Sequence, residues 1–263
     1  ALSDLFVKGS TPRAALSLAI LPHGSPRKQA ALLDELLAGA ARELAAVDAS
    51  IVGGHSVVGP RLTFGFTLLG DAATDTVLRK ATPRAGDSLL LTKALGTGVL
   101  LAAHMRARCQ AQWWGPLIDS MLTSNEQASA IAVDLPVSAA TDVTGFGLAG
   151  HLREMLGGTG LSAEISLSAL PLLPGAEELF QSGLQSSLAP SIRESAVGLQ
   201  MTVEIQNDPR SAILFDPQTS GGILLAVPEA EVEVFVSQCE CAATVVGRVF
   251  QRKSDDSTIE VTP

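Results

Sequence analysis

Apolar and polar positions along the chain fall into blocks that read as strand, helix, strand, strand, and then as a longer mixed stretch. Residues 12–22 (Pro-Arg-Ala-Ala-Leu-Ser-Leu-Ala-Ile-Leu-Pro) are an apolar run bounded by prolines and followed by Gly24-Ser25, which predicts a buried strand and a turn. Over 27–47 the apolar residues Leu33, Leu37, Ala40, Leu44 and Val47 recur at helical spacing. Asp34, Glu35, Arg42 and Glu43 supply the wet face, so this helix is expected to lie on a sheet. Ser50-Ile51-Val52 reads as a short strand running into a Gly53-Gly54 turn, and 62–69 reads as another strand. Residues 70–86, with Asp71, Asp75, Arg79, Lys80, Pro83 and Arg84, are polar and aperiodic. They mark a junction between a domain at 1–78 and a second at 79–263.

Beyond the junction the pattern predicts a strand at 87–92, a turn at Gly96-Thr97-Gly98, and helices at 99–106 and 116–133. A strand at 137–143 leads into the turn Thr144-Gly145-Phe146-Gly147 and a helix through Leu156. Further strands are expected at 161–167, 222–227, 242–249 and 257–261, with a helix at 229–238. Strands and helices alternate without a dinucleotide-binding fingerprint or a fixed-period repeat, which predicts two α+β domains.

With 46% hydrophobic and 17% charged residues in 263, the chain has ample material for packed cores. It contains no apolar run near the roughly 18 residues needed to cross a bilayer, and Ala1-Leu2-Ser3-Asp4 does not open like a signal peptide, so a cytoplasmic protein without a membrane partner is expected. Cys109, Cys239 and Cys241 are an odd set in a long chain, which argues against a disulfide framework. Cys239-Glu240-Cys241 has no second Cys or His pair at ligand spacing with which to complete a metal site. A net charge of -9, with Lys and Arg scattered, argues against nucleic acid as a partner. A nucleotide bound by so acidic a chain requires local compensation from a divalent cation and backbone N–H groups.

Asp clusters and Gly-rich turns are therefore the places to look. Three segments join a predicted strand to a polar turn: Gly53-Gly54-His55-Ser56, 141–147 and 216–222. Glycine lets the backbone approach a phosphate closely, yet a Gly-Gly turn also forms for conformational reasons alone. Asp142 is expected at the end of a sheet strand, either presenting its carboxylate there or capping the next helix, as Thr144 also could. Asp4 reads equally as a solvated residue, a cap or a ligand. His55 suits a phosphate donor, a proton carrier or a turn cap. Lys93, after a strand, either reaches an anion or lies in solvent, and Trp113-Trp114 suit core or interface anchoring better than base stacking.

Five stretches taken together resemble the selenophosphate synthetases (selenide, water dikinases) of the aminoimidazole-ribotide-synthetase superfamily. They are Ala-Leu-Ser-Asp at 1–4, Val-Gly-Gly-His-Ser at 52–56, Leu-Thr-Lys-Ala-Leu-Gly-Thr-Gly at 91–98, Thr-Asp-Val-Thr-Gly-Phe-Gly-Leu-Ala-Gly-His at 141–151, and Asp-Pro-Gln-Thr-Ser-Gly-Gly at 216–222. The resemblance implies an N-terminal α+β domain that dimerises through its sheet, a C-terminal α+β domain, and ATP with Mg²⁺ as cofactors. It implies Asp4 and Asp142 as Mg²⁺ ligands, and Asp4, Gly53, Gly54 and His55 as nucleotide contacts. The implied reaction converts ATP, selenide and water to selenophosphate, AMP and phosphate. The family's reactive Cys or selenocysteine and its following Lys precede the segment that matches this chain. The resemblance therefore implies an incomplete N-terminal domain, no catalytic residue here, and a chain inactive alone. Hydrogenase-maturation-type ATPases and a non-catalytic scaffold are the competing readings.

Overall fold

The proline-bounded apolar run becomes strand β1, Thr11–Pro22, in a computed structural model that describes residues 1–74, 77–252 and 258–263. Contacts divide the chain into two units, Ala1–Val77 and Leu78–Pro263.

In the first unit, helix α1 (Leu2–Phe6) precedes β1, and α2 (Pro26–Ala45) leads to β2 (Ser50–Gly59) and β3 (Thr63–Asp71). The sheet order is β2-β1-β3, with β1 and β2 parallel and β3 antiparallel to β1. A parallel pair needs a crossover, which α2 supplies; Pro26 at its first turn suits a position whose N–H has no intrahelical partner. Strand alternation splits β1. Ala15, Ala19 and Leu21 are buried, whereas Leu16 and Leu18 remain 42% and 47% exposed.

Here the predicted Gly53-Gly54 turn fails: β2 continues through both glycines to Gly59. A Cβ on Gly54 would lie 2.2 Å from the Ser17 carbonyl oxygen, just past a register shift between Ala15 and Leu16. The glycines therefore serve close strand approach rather than reversal of the chain.

The second unit is built on a seven-stranded sheet of order β5-β8-β4-β9-β6-β10-β7. Its strands are β4 (Asp87–Leu91), β5 (Ala139–Asp142), β6 (Leu161–Ser166), β7 (Leu199–Gln200), β8 (Ile223–Pro228), β9 (Thr244–Gln251) and β10 (Ile259–Thr262). Pairing is antiparallel from β5 to β6 and parallel at β6-β10-β7. Interior strands β4 and β8 are almost wholly buried, which explains their continuous apolar runs. Helices α3 (Thr97–Met105), α4 (Ala111–Leu122), α5 (Glu126–Asp134) and α6 (Gly147–Leu156) follow the predicted segments only in part. The single helix expected over 116–133 is two, because Thr123-Ser124-Asn125 finds tertiary partners. Lys93 Nζ donates to the Thr123 carbonyl at 2.6 Å, and buried Asn125 donates to the Gly221 carbonyl at 2.9 Å. Residues 168–215, unassigned by pattern, hold α7 (Ala176–Gln181), α8 (Ala189–Ser195), α9 (Val203–Asn207) and a 3₁₀ turn, Pro209–Phe215. The helix expected over 229–238 starts as a 3₁₀ turn and becomes α10 (Val232–Gln238).

Cys239 and Cys241 are joined by a disulfide, contrary to the expectation from cysteine count, while Cys109 is free. Among the described residues no helix is long and apolar enough to cross a membrane. Asp75 and Ser257, which fall in the predicted junction and the last predicted strand, lie outside the described residues.

Candidate functional site

Asp142 is the last residue of β5, which pairs with β8 so that Asp142 stands opposite Ile223. The residue is 9% exposed, its carboxylate oxygens still reach solvent, and among the described residues they have no hydrogen-bond or ion-pair partner. It does not cap the following helix: α6 starts after Phe146 with no side-chain cap, so neither Asp142 nor Thr144 serves that purpose. A carboxylate at a sheet end with no protein partner is free to take a cation as its ligand. This leaves the sheet-end reading of Asp142 and discards the capping one.

The turn after Asp142 is held from three sides. Val143 N–H donates to Gly222 O at 2.9 Å, and Gln218 N–H donates to Thr144 O at 2.9 Å. The Thr144 hydroxyl lies 3.1 Å from His151 Nε2. His151 is buried, and its Nδ1 lies 3.4 Å from a carboxylate oxygen of Glu154, which Lys80 contacts at 2.7 Å. Burial, followed by the Lys80 charge, lowers the His151 pKa from its usual 6.5, favouring a neutral ring beside the turn. Gly147 takes a positive φ of 65° against the 214–216 backbone, and a Cβ there would lie 2.9 Å from Leu214 O. Phe146 beside it is 59% exposed. No spacing in the sequence signals the contact of His151 with Thr144, which depends on a turn folding back onto its helix.

The segment 216–222 does not form an open phosphate cradle. Asp216 and Gln218 point inward onto the start of α3. Gln218 Oε1 accepts from Gly96 N–H at 3.0 Å and Thr97 N–H at 3.2 Å, while Asp216 Oδ2 accepts from Gly98 N–H at 3.1 Å. Those N–H groups, which a Gly-rich helix start would offer an anion, are already occupied. Burial pushes the Asp216 pKa up to about 7, and its Oδ1 has no partner. Gly221 and Gly222 permit close packing, since a Cβ would lie 2.1 Å from Val143 O in one case and 2.6 Å from Lys93 N in the other.

Lys93 is buried rather than solvated. Its Nζ donates to Thr123 O and to Ser220 O, the latter at 3.0 Å, and desolvation lowers its pKa to about 8. Trp113 is core, whereas the half-exposed Trp114 stacks on His104 with ring centres 4.1 Å apart. In the first unit Asp4 lies on α1, its side chain 74% exposed and 3.5 Å from the N-terminal ammonium. Gly53, Gly54 and His55 are exposed residues of β2 paired with Leu16, Ser17 and Leu18. Among the described residues no three His, Cys, Asp or Glu side chains converge as a metal cluster.

Residues 84–260 match the model of the C-terminal domain of AIR synthase related proteins, and 1–72 match that of the N-terminal domain. A selenide, water dikinase of Caldanaerobacter subterraneus subsp. tengcongensis is 32% identical over 263 residues, spanning 97% of this chain and 74% of the relative. That of Escherichia coli strain K12 is 34% identical over 264 residues, spanning 99% of this chain and 75% of the relative. The chain belongs to the selenide, water dikinase family. The fold extends to more distant proteins. The hydrogenase maturation protein HypE of E. coli has a TM-score of 0.75 at 23% identity, covering 99% of this chain and 73% of its own. A HypE structure in complex with ATP has a TM-score of 0.70 at 20% identity, covering 98% and 73%. Within a dikinase-family chain of the AIR synthase fold, Asp142 is the partnerless carboxylate at the sheet end, and the 216–222 segment is the brace behind its turn.

Proposed function

We propose that this chain serves ATP-dependent selenophosphate synthesis, in which ATP, selenide and water yield selenophosphate, AMP and phosphate, and that Asp142 is a ligand to the Mg²⁺ that accompanies the nucleotide. The observation that carries this reading is the Asp142 carboxylate, nearly buried and without a partner among the described residues. Its fit to Mg²⁺ is chemical: that ion takes one or two carboxylates and completes its octahedron with water and phosphate oxygens, so a large protein cage is not needed. When bound, the metal nucleotide supplies the phosphoryl group and neutralises its charge. The chain's own part is positional: Gly222, Gln218 and His151 fix the 142–147 turn, so Asp142 meets the cation without reordering the backbone.

On the same reading Asp4 is the second metal and nucleotide carboxylate, and Gly53, Gly54 and His55 of β2 contact nucleotide. The dikinase acts as a cytoplasmic homodimer that pairs through the exposed apolar face of the first unit's sheet. No cysteine of this chain is assigned as nucleophile. Calorimetric titration of the chain with a non-hydrolysable ATP analogue and Mg²⁺ tests the proposal. Asp142→Asn keeps the shape and removes the charge, and is expected to weaken Mg²⁺-dependent binding at least tenfold with an unchanged circular dichroism spectrum. Equal affinity in wild type and variant would refute the Asp142 assignment.

A further inference from the structure

The Cys239–Cys241 disulfide links residues two apart, between the end of α10 and the start of β9. The constraint that a cross-link places on an unfolded chain grows with the loop it closes, and this loop holds a single intervening residue. The bond therefore does little to hold the fold, and its location calls for a chemical explanation. Cys241 lines a pocket of about 210 Å³ together with Lys93, Thr123, Asn125, Gln127 and Glu240. Cys239 is buried at 8% exposure, whereas Cys241 is partly exposed, so the two sulfurs differ in access. The loop between them is anchored independently of the disulfide, since Glu240 N–H donates to Gln127 Oε1 at 3.3 Å.

Lys93 gives the pocket its chemistry. Its ammonium contacts only the Thr123 and Ser220 carbonyls, and among the described residues it makes no ion pair. Lys93 and Glu240 are the titratable side chains that line the pocket with Cys241. Lys93 is the one cation among the described residues that line the pocket, and a cation beside a cysteine favours its thiolate, the form that exchanges with disulfides.

We infer that Cys239 and Cys241 form a reversible thiol–disulfide exchange site, with Cys241 as the attacked sulfur and Lys93 as the cation that stabilises its thiolate. The co-reactant is a small-molecule thiol. Its thiolate attacks Cys241 Sγ, the Cys239–Cys241 bond breaks, and Cys239 leaves and takes up a proton. A second molecule of the thiol attacks the resulting mixed disulfide, releasing Cys241 as a thiolate paired with Lys93. Two thiols become one small-molecule disulfide, and two electrons pass to the cysteine pair. The site borders the brace of the Asp142 turn, because Lys93 also holds Ser220 O and Asn125 holds Gly221 O.

The test equilibrates the 263-residue chain in glutathione buffers of graded ratio, quenches with an alkylating agent and maps the modified cysteines by mass spectrometry. Cys239 and Cys241 are expected to gain or lose their alkyl groups together and reversibly, with an unchanged circular dichroism spectrum, while Cys109 provides the internal reference. A pair that stays alkylated as two thiols at every ratio, or that is reduced only after the chain unfolds, overturns the inference. Lys93→Met is expected to slow Cys241 alkylation about tenfold near neutral pH and to move its pH midpoint upward. Lys93→Arg, which keeps the cation and guards against misfolding of the Met variant, is expected to restore both. Wild-type alkylation rates in a folded Met variant, or failure of Arg to restore them, would remove Lys93 from the site.

Discussion

The two units use the same ingredients, a sheet with helices on it, but finish them differently. In Leu78–Pro263 the central strands are sealed: Leu89, Leu90, Leu91 and the run Ile223, Leu224, Leu225, Ala226 and Val227 are all 0% exposed. In Ala1–Val77 buried apolar residues such as Phe6, Val7, Ala15, Ala19, Leu21, Leu44 and Ala49 form a smaller core, while Leu16, Leu18, Val52 and Val58 stay more than 40% exposed at 42%, 47%, 62% and 54%. Every buried polar or charged side chain among the described residues also belongs to the larger unit. One unit is thus a closed core with polar groups built into it, and the other is a thin layer with an apolar face left open. An open apolar face of this kind marks a surface suited to bind protein, membrane or ligand.

The sharpest way to break that comparison is to truncate one apolar side chain in the larger core and one on the smaller unit's open face. Phe215 is 1% exposed and packs in the large core, so Phe215→Ala is expected to cost about 3–5 kcal/mol in urea unfolding. Leu18→Ala removes a half-exposed side chain and is expected to change unfolding of the monomer by no more than about 0.5 kcal/mol. Similar losses at the two sites would show that the smaller unit's sheet face is as well covered as the larger core.

Next in size is a pH effect confined to the larger unit. Burial raises Asp216 from 3.8 to about 7, so the folded state holds a proton there that the unfolded chain releases. Stability from this group is complete below about pH 4 and is lost as pH rises through about 7, a change on the order of 4 kcal/mol. His151, with its lowered pKa, acts with the opposite sign as pH rises towards 6.5, so the total slope is smaller. Asp216→Asn isolates the Asp216 contribution. Subtracting its unfolding free energies from those of wild type between pH 4 and 7.5 should recover the falling component, and a flat difference would remove Asp216 from the account.

Much of this architecture was legible in the sequence. Residues 12–22, 27–47 and 62–69 carry clean periods and became β1, α2 and β3, because one face of each packs locally. The Gly53-Gly54 misreading has a physical cause: glycine marks both a reversal and a close strand approach, and only the presence of Ser17 on the neighbouring strand distinguishes them. The same limit applied to 216–222. Its Asp, Gln and Gly residues suit a ligand cradle or a helix brace, and the choice depends on α3, more than 100 residues earlier in sequence, with contacts such as Gly98 to Asp216 at a separation of 118. At Asp142 the sequence leaves open a carboxylate presented at a sheet end and a helix cap, and the ligand role comes only from the family resemblance. That Asp142 lacks a partner could be seen only once Phe146, and not Asp142, proved to be the residue at the start of α6.

The smallest effect concerns the open face itself. Leu18 and His55 are register partners, as are Leu16 and Gly53 and Ile20 and Val57, so these residues share one side of the sheet. The proposed homodimer covers that side, since a two-fold pairing of identical apolar faces buries Leu16 and Leu18 of both copies at once. Leu18→Glu puts a charge at this position while leaving Ala15 and Ala19 packed below, so it is expected to weaken dimerisation at least tenfold and leave the secondary structure intact. Sedimentation equilibrium over a range of protein concentrations measures the change. A wild-type chain that remains monomeric throughout, or a Leu18→Glu chain that associates equally well, would mean that a second copy does not cover this face.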